Sequence, residues 1–349
     1  MKKMITEAPG YELEQVWLPA SEQLMEWGAS FHDILLGDEL RMASFRAAID
    51  EVVFPGCTVL DLGAGTGILA EWALRAGAET VYGIELNASL LKMAVKRVEA
   101  AGYSSRFCPI LGVSFDVNIP ESVDVIVSET MGNLADNEGF VDILKDARRR
   151  FLAVGGTIVP SRVESYLVPV AAERAHIEVR RGNPRGGNGR DDFARQLRRR
   201  KARGPFDLYY DAIIPTRSHL SEPRLARQYM FEGEETATYE LQLMYTAQRA
   251  GWLTGFKGYF VATLSNNVKL DISSDDIAGR TTSDSWKHCY LPVEVPCFVQ
   301  PDDRIELIFS RSRPADTSDP FYQTYRWEGK VVSTGEVVAR FSQWTTSAP

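Results

Sequence analysis

Two glutamates, Glu129 and Glu138, stand nine residues apart in the run Ser128-Glu129-Thr130-Met131-Gly132-Asn133-Leu134-Ala135-Asp136-Asn137-Glu138-Gly139. Carboxylates at that separation, on a loop that contains a glycine, can fold back toward one point. There they could grip a planar cation by bidentate, charge-assisted hydrogen bonds. Two solvated loop acids are the plainer alternative for an arbitrary pair. A second set of residues lies upstream. Gly63, Gly65 and Gly67 follow the apolar run Thr58-Val59-Leu60-Asp61-Leu62, and Glu85 ends the next apolar run. Glycines in such a turn let backbone approach a ligand, with the amides of the following helix facing it. An acid at the end of the second strand can accept hydrogen bonds from both hydroxyls of a ribose. Ile68 occupies the place where a dinucleotide fingerprint has its third glycine. The GxGxG spacing therefore favours S-adenosyl-L-methionine over NAD, with Asp61, just before the turn, as a further candidate contact. A tight turn that binds nothing is the alternative.

The elements that must position these residues follow from periodicity. Leu24, Met25, Ile34, Leu35, Leu36, Leu40, Phe45 and Ala48 recur at helical spacing up to Pro55-Gly56, which predicts helix over 20–50. Strands are expected at 58–62, 80–84, 107–111 and 123–128. Helices are expected at 68–76, 88–101 and 139–151, the first closed by Gly77 and the second by Gly102. Strand and helix alternating through short turns is the form of a parallel, doubly wound sheet, whose ligands sit beyond the carboxyl ends of the strands. After Pro160 the pattern changes. Segments 164–170, 238–245, 258–264, 289–293 and 304–309 alternate or carry β-branched and aromatic residues, as an antiparallel sandwich or barrel would. The expected organisation is a helical segment over 1–50, a Rossmann-like domain over 51–160 and a β domain over 161–349. A glycine-rich and then densely basic stretch, 180–203, interrupts the β domain. An exposed loop leading into a solvated helix is its plain reading; an oligomerisation arm or a contact for an acidic partner is the sharper one.

Composition narrows the classes. The 349 residues carry 39 basic and 47 acidic side chains, a formal charge of −8. That balance disfavours a generic nucleic-acid binder and leaves a cationic substrate open. Cys57, Cys108, Cys289 and Cys297 show no paired spacing, and His32, His176, His219 and His288 do not cluster. Reduced thiols and no metal site are expected, and hence a cytoplasmic protein. Lys2-Lys3 have no apolar run behind them and no apolar run approaches eighteen residues, so neither export nor a membrane span is expected.

With these residues in view, the sequence resembles the protein arginine N-methyltransferase family. Residues 59–85, VLDLGAGTGILAEWALRAGAETVYGIE, look like its cofactor motif, and SETMGNLADNEG matches its double-glutamate loop with both acids at the family spacing. His32, Asp38 and Arg41 match its cofactor-covering segment. Ser285-Trp286-Lys287 lies where the family carries a Thr-His-Trp loop. The resemblance is specific over about 30–165 and weaker to about 310. It implies a Rossmann-like domain followed by a β-barrel, with a dimerisation arm at the basic stretch, about 180–215, and a homodimer. It implies that Glu129 and Glu138 hold the acceptor guanidinium and that Asp38, Ser285 and Trp286 complete the catalytic set. Arg41 would bind the cofactor's methionine carboxylate and Glu85 its ribose. His32, Asp61, Gly63, Gly65, Gly67 and Ser114 would line the rest of its site.

Several positions depart from the family pattern. Asp284-Ser285-Trp286 lacks the loop histidine, although the subgroup making symmetric dimethylarginine also has Ser-Trp there. Ser114 aligns with an acid near the adenine, Leu35 and Phe140 replace two methionines, and 22–31 lacks the tyrosines of the helix that closes over substrate. Product type is therefore left open. The acceptor is an arginine-containing peptide or a small guanidino compound such as free arginine, with S-adenosyl-L-homocysteine as by-product. A non-catalytic binding protein on the same fold is the reading from another class.

Overall fold

Among the described residues, Asp38 sets the start of the first long helix. Its carboxylate accepts the Arg41 N–H at 3.0 Å, capping helix α1 (Glu39–Val52), which follows a two-residue strand β1 (Val16–Trp17). The computed structural model describes residues 12–19, 36–136, 139–182, 184–185, 190–199, 201–232, 236–278, 286–313 and 323–345. The expected helix over 20–35 lies outside them. Then come β2 (Thr58–Leu62), α2 (Ile68–Ala76), β3 (Thr80–Glu85), α3 (Ala88–Ala100), β4 (Phe107–Leu111), β5 (Val123–Ser128), α4 (Phe140–Phe151) and β6 (Leu152–Val159). The five strands pair in parallel in the order β4-β3-β2-β5-β6. Val59, Leu60, Leu62, Val125, Ile126 and Val127 are almost wholly buried, as strands covered on both faces must be. The order reverses between β2 and β5, so the turn after β2 and the loop after β5 flank the switch point where such sheets bind ligands. Strand β6 has no counterpart in the sequence reading, because Gly155-Gly156 interrupts it. A Cβ at Gly156 would lie 2.8 Å from the Asp124 carbonyl, so this glycine serves close strand approach.

Beyond residue 160 the chain forms β7 (Arg162–Val170), α5 (Glu173–Arg181), α6 (Arg190–Arg199), β8 (Tyr210–Ala212), β9 (Arg224–Tyr229), β10 (Tyr239–Thr246), β11 (Gly251–Thr263), β12 (Lys269–Asp271), β13 (His288–Val299), β14 (Arg304–Ser312), β15 (Thr324–Ser333) and β16 (Glu336–Trp344). All its strand pairs are antiparallel, as expected. They form a seven-stranded sheet, β1-β8-β13-β11-β7-β9 with β12 beside β11, and a four-stranded sheet, β10-β14-β15-β16. Among the described residues the two hydrogen-bonded paths do not join into one ring. The sheets are held together by a common core in which Phe256 and Leu291 of one meet Phe309 and Trp327 of the other. The Trp327 indole also donates to the Pro292 carbonyl at 2.8 Å.

The Rossmann core continues into this β region. Phe260, Ala262 and Tyr229 belong to the same cluster as Ile49, Val127 and Phe140. The basic stretch is helical over α6, which buries Phe193 among Val16, Val179 and Tyr210 and so is seated on the seven-stranded sheet. Close approach decides one further position. At Gly258, in β11, a Cβ would lie 2.5 Å from Leu134 Cδ2 and 3.2 Å from Leu167 Cδ2. Gly258→Ala should therefore lower the unfolding midpoint in a thermal or urea melt, at a cost of about 1–3 kcal/mol for overpacking.

Candidate active site

The turn after β2 is built from below and from behind. Gly63, Gly65 and Gly67 have φ of +79°, +53° and +80°, a region that glycine enters without strain. Gly67 is the N-cap of α2 and has no side chain to offer its first-turn amides. Asp61 supplies the missing acceptor from the end of β2, taking the Ala70 N–H at 2.9 Å. A Cβ at Gly67 would lie 2.7 Å from the Ala94 backbone in α3, and Arg97 of that helix donates to the Thr66 carbonyl at 2.9 Å. Glu85, buried at the end of β3, accepts from Gly65 N and from Asn87 N, each at 2.8 Å. Leu86, Val113 and Phe115, on the chain just beyond β3 and β4, are exposed apolar residues on the Glu85 side of the sheet, where the Gly112 N–H bonds the Glu85 carbonyl at 3.0 Å. A buried acid beside exposed apolar side chains could hold a ribose and a flat heterocycle.

The loop after β5 faces that turn. A Cβ at Gly63 would come within 3.0 Å of Thr130 Cγ2, so the two loops touch. Glu129 is nearly buried and forms an ion pair with Arg41 of α1, whose side chain is also nearly buried. The Arg41 guanidinium lies 5.1 Å from the centroid of the Trp286 ring. Trp286 in turn packs edge-on against Phe260 at 5.2 Å and donates its indole N–H to the Met131 carbonyl. Glu129, Arg41 and Trp286 are thus brought together, as the spacing alone could not show.

Residues 131–136 of the loop are all buried. Buried loop backbone needs partners, and the β region provides them. Ser165 Oγ donates to the Leu134 carbonyl at 2.6 Å, and Asn133 donates through its amide to Asp211 of β8. Asp136 accepts the hydroxyls of Tyr239 and Tyr325. Sequence reasoning did not single out Asp136. Its burial, which no local pattern announces, is the missing signal.

The remaining expected residues divide. Asp61 is 1% exposed beneath the turn and caps α2 through Oδ2, while its Oδ1 has no hydrogen-bond partner among the described residues. Asp38 caps α1. Ser114 begins a short helical turn, is buried, and accepts from Arg150 through its carbonyl. Phe140 is wholly buried, edge-on to Phe231 at 5.3 Å. Glu138, Ser285 and His32 lie outside the described residues. Among the described residues no group of three or more His, Cys, Asp or Glu is placed to hold a metal ion, and no helix is long and apolar enough to cross a membrane.

Comparison with known proteins agrees with this geometry. A methyltransferase domain profile matches residues 59–156, and a PRMT5 oligomerisation domain profile matches 162–322. Protein arginine N-methyltransferase 1 of Dictyostelium discoideum is 37% identical over 142 residues, 40% of this chain and 41% of that one. Ribosomal protein arginine N-methyltransferase rmt3 of Schizosaccharomyces pombe is 27% identical over 331 residues, 89% of this chain and 58% of its own length. The chain therefore spans roughly half the length of the curated relatives it matches. The structure of the Trypanosoma brucei PRMT1 enzyme-prozyme heterotetrameric complex with AdoHcy superposes with a TM-score of 0.74 at 19% identity, covering 90% of this chain and 96% of that one, a likeness of fold. Fold and turn together define a Rossmann-like methyltransferase domain joined to an antiparallel β domain. Within that class, the chain is similar over part of its length to protein arginine N-methyltransferases.

Burial, with the Glu85 charge adding to it, pushes the Asp61 carboxyl up to about 7 against the pull of the Ala70 N–H. In the unfolded chain the same group ionises near pH ~4. Between these values the folded protein keeps a proton that the unfolded chain has lost. This contribution to stability is therefore complete below about pH 4 and disappears as pH rises through about 7. Asp61→Asn keeps an acceptor for Ala70 without the ionisation. Its stability relative to wild type should rise between pH 4.5 and 8, on the order of 3 kcal/mol across the window, in urea melts of both proteins.

Proposed function

We propose that the protein is an S-adenosyl-L-methionine-dependent N-methyltransferase acting on an arginine guanidinium. One observation carries the reading: the carboxylate of Glu129, backed by the Trp286 ring, already holds a guanidinium, that of Arg41. A seat that pairs one guanidinium with a carboxylate and an aromatic face suits another.

The residues present fit the cofactor. A side chain at Gly63 would crowd Thr130 at the mouth of the turn, so glycine keeps that mouth open. Glu85 would hold the ribose; Gly63, Gly65 and Gly67 would admit the molecule; and Leu86, Val113 and Phe115 would flank the adenine. Arg41 would answer the methionine carboxylate, freeing Glu129 to exchange the internal guanidinium for the acceptor's. The bound cofactor supplies an electrophilic methyl on a sulfonium. A free guanidinium loses its proton only above pH ~12, so the acceptor enters charged. Glu129 and Glu138 draw positive charge onto two of its nitrogens, leave the third richer in electrons and aim it for in-line attack. As nitrogen takes the methyl, the methyl's bond to sulfur would break with its electron pair staying on a neutral thioether, and the proton released from nitrogen would pass to a carboxylate of the pair. No loop histidine is needed for that transfer.

The acceptor is the side chain of an arginine peptide, with free arginine or another small guanidino compound as the narrower alternative. Two copies of the chain associate through the region from 162 onward, on the support of the oligomerisation-domain match and of α5 and α6, which stand on its sheet. The four free cysteines accord with a cytoplasmic setting.

Mass spectrometry after incubation with S-adenosyl-L-methionine tests the reading, with a glycine-arginine peptide and free arginine as parallel acceptors. A gain of about 14 Da, one methylene, is expected on an acceptor, and Glu129→Gln should lower kcat/KM at least ~100-fold. Cofactor binding without a gain on either acceptor would remove the guanidinium assignment.

A further inference from the structure

A row of three donors crosses the four-stranded sheet at a single level. Tyr239 of β10 is the register partner of Arg311 of β14, and Arg311 is the register partner of Tyr325 of β15. Direct cross-strand partners share a face, and here that face meets one group on the loop after β5. Tyr325 donates its hydroxyl to Asp136 Oδ1 at 2.6 Å, Tyr239 donates to Oδ2, and Arg311 Nε stands 3.7 Å from Oδ2. Asp136 is 1% exposed and Arg311 5%.

The donors are themselves fixed. Arg311 donates Nε and Nη2 to Gln323 Oε1 at 3.2 and 2.6 Å and bonds the Ala237 carbonyl. The Tyr325 hydroxyl accepts from Gln323 Nε2 at 3.2 Å, and the Tyr325 ring stacks on Phe309 at 5.5 Å. Burial, reinforced by the Asp136 charge, raises both phenols well above their usual range, so each stays a donor at working pH. The row therefore matches an acceptor-only, negatively charged group, which among buried side chains means an ionised carboxylate.

We infer that Asp136 is a positioning residue: clamped by Tyr239, Arg311 and Tyr325, it fixes the loop whose glutamates receive the acceptor. The inference rests on the arginine-directed reading above for what the glutamates do, but not for the clamp. Glu138 follows Asp136 by two residues in the sequence. Glu129 lies at the other end of the same buried run, where the Met131 N–H donates to its Oε1 at 3.3 Å. An error at 136 thus reaches both ends of the loop, while the glycine turn after β2 is braced separately by Asp61, Glu85 and α3.

Asp136→Asn turns an amide N–H toward a row of donors with almost no change of shape. Two measurements on the full chain test the clamp: methyl transfer to a glycine-arginine peptide, and backbone hydrogen exchange across 129–136, with S-adenosyl-L-homocysteine affinity as reference. The variant should lose ~30-fold or more in kcat/KM for the peptide, exchange about tenfold faster across the loop and keep cofactor affinity within about twofold of wild type. Tyr325→Phe, which removes one donor and leaves the charge, should move all readouts in the same direction by less. Exchange as slow as wild type in Asp136→Asn overturns the clamp, and so does a loss of cofactor affinity in step with transfer, since that reports general damage. A wild-type protein that methylates no guanidinium refutes the functional reading instead, and the exchange measurement still decides the clamp.

Discussion

A carboxylate at the end of a parallel strand can meet a cation only if the chain beneath it cannot relax. Here that constraint is met by burying the loop rather than leaving it on the surface. Residues 131–136 are enclosed, and each polar group that enclosure strands must be answered, since an unpaired buried amide or carboxylate costs more than the bond it forgoes. The answers come from Ser165, Asp211, Tyr239, Arg311 and Tyr325, all beyond residue 160. The antiparallel domain is therefore the mould in which the Rossmann domain's own loop is cast. Gly258 shows how close the mould fits, because Leu134 fills the space where its side chain would be.

The turn after β2 obeys a different economy. It needs little from the β domain, because Asp61 closes the amides of α2 and α3 presses on Gly67. Glu85 braces the turn through Gly65 and Asn87, and in the proposed function it would also meet the ribose. The two loops touch where Gly63 faces Thr130. In the proposed function, binding of a cofactor and gripping of an acceptor are thus built on largely separate supports, the arrangement a transfer between two ligands requires.

The parallel half was legible because its signals are local. Alternation of strand and helix, glycines at fixed offsets and an acid at a strand end survive without knowledge of any distant partner. Strand β6 escaped because Gly155-Gly156 mimics a break, although Gly156 is there to let two strands approach. The antiparallel half was legible as a class and not as a topology, since which strand pairs with which is decided by contacts far apart in sequence. The site shows the same division. Glu129 and Trp286 could be named from motifs, but the pairing of Glu129 with Arg41 is a tertiary fact. The Asp61 cap of α2 was not legible, because a strand-end acid before a glycine turn looks the same whether it faces a ligand or a helix end. Asp136 carries no local mark at all; only the register of β10, β14 and β15 makes it matter.

The internal ion pair follows from the same physics that makes the seat useful. Glu129 and Arg41 are both nearly buried, and a carboxylate taken out of water without a partner is strongly destabilising. A pocket able to hold a guanidinium tightly must therefore hold some cation at all times. Arg41 meets that requirement from the first turn of a helix that Asp38 caps through the Arg41 backbone itself. Its side chain can then change partners while its backbone stays fixed, and Trp286 offers the same aromatic face to whichever guanidinium lies above it. In the proposed reaction the exchange of one guanidinium for another leaves the charge on Glu129 balanced throughout. On the proposed reading a lysine ammonium would be a poorer fit, because a point charge lacks both the planar fork and the flat face of a guanidinium.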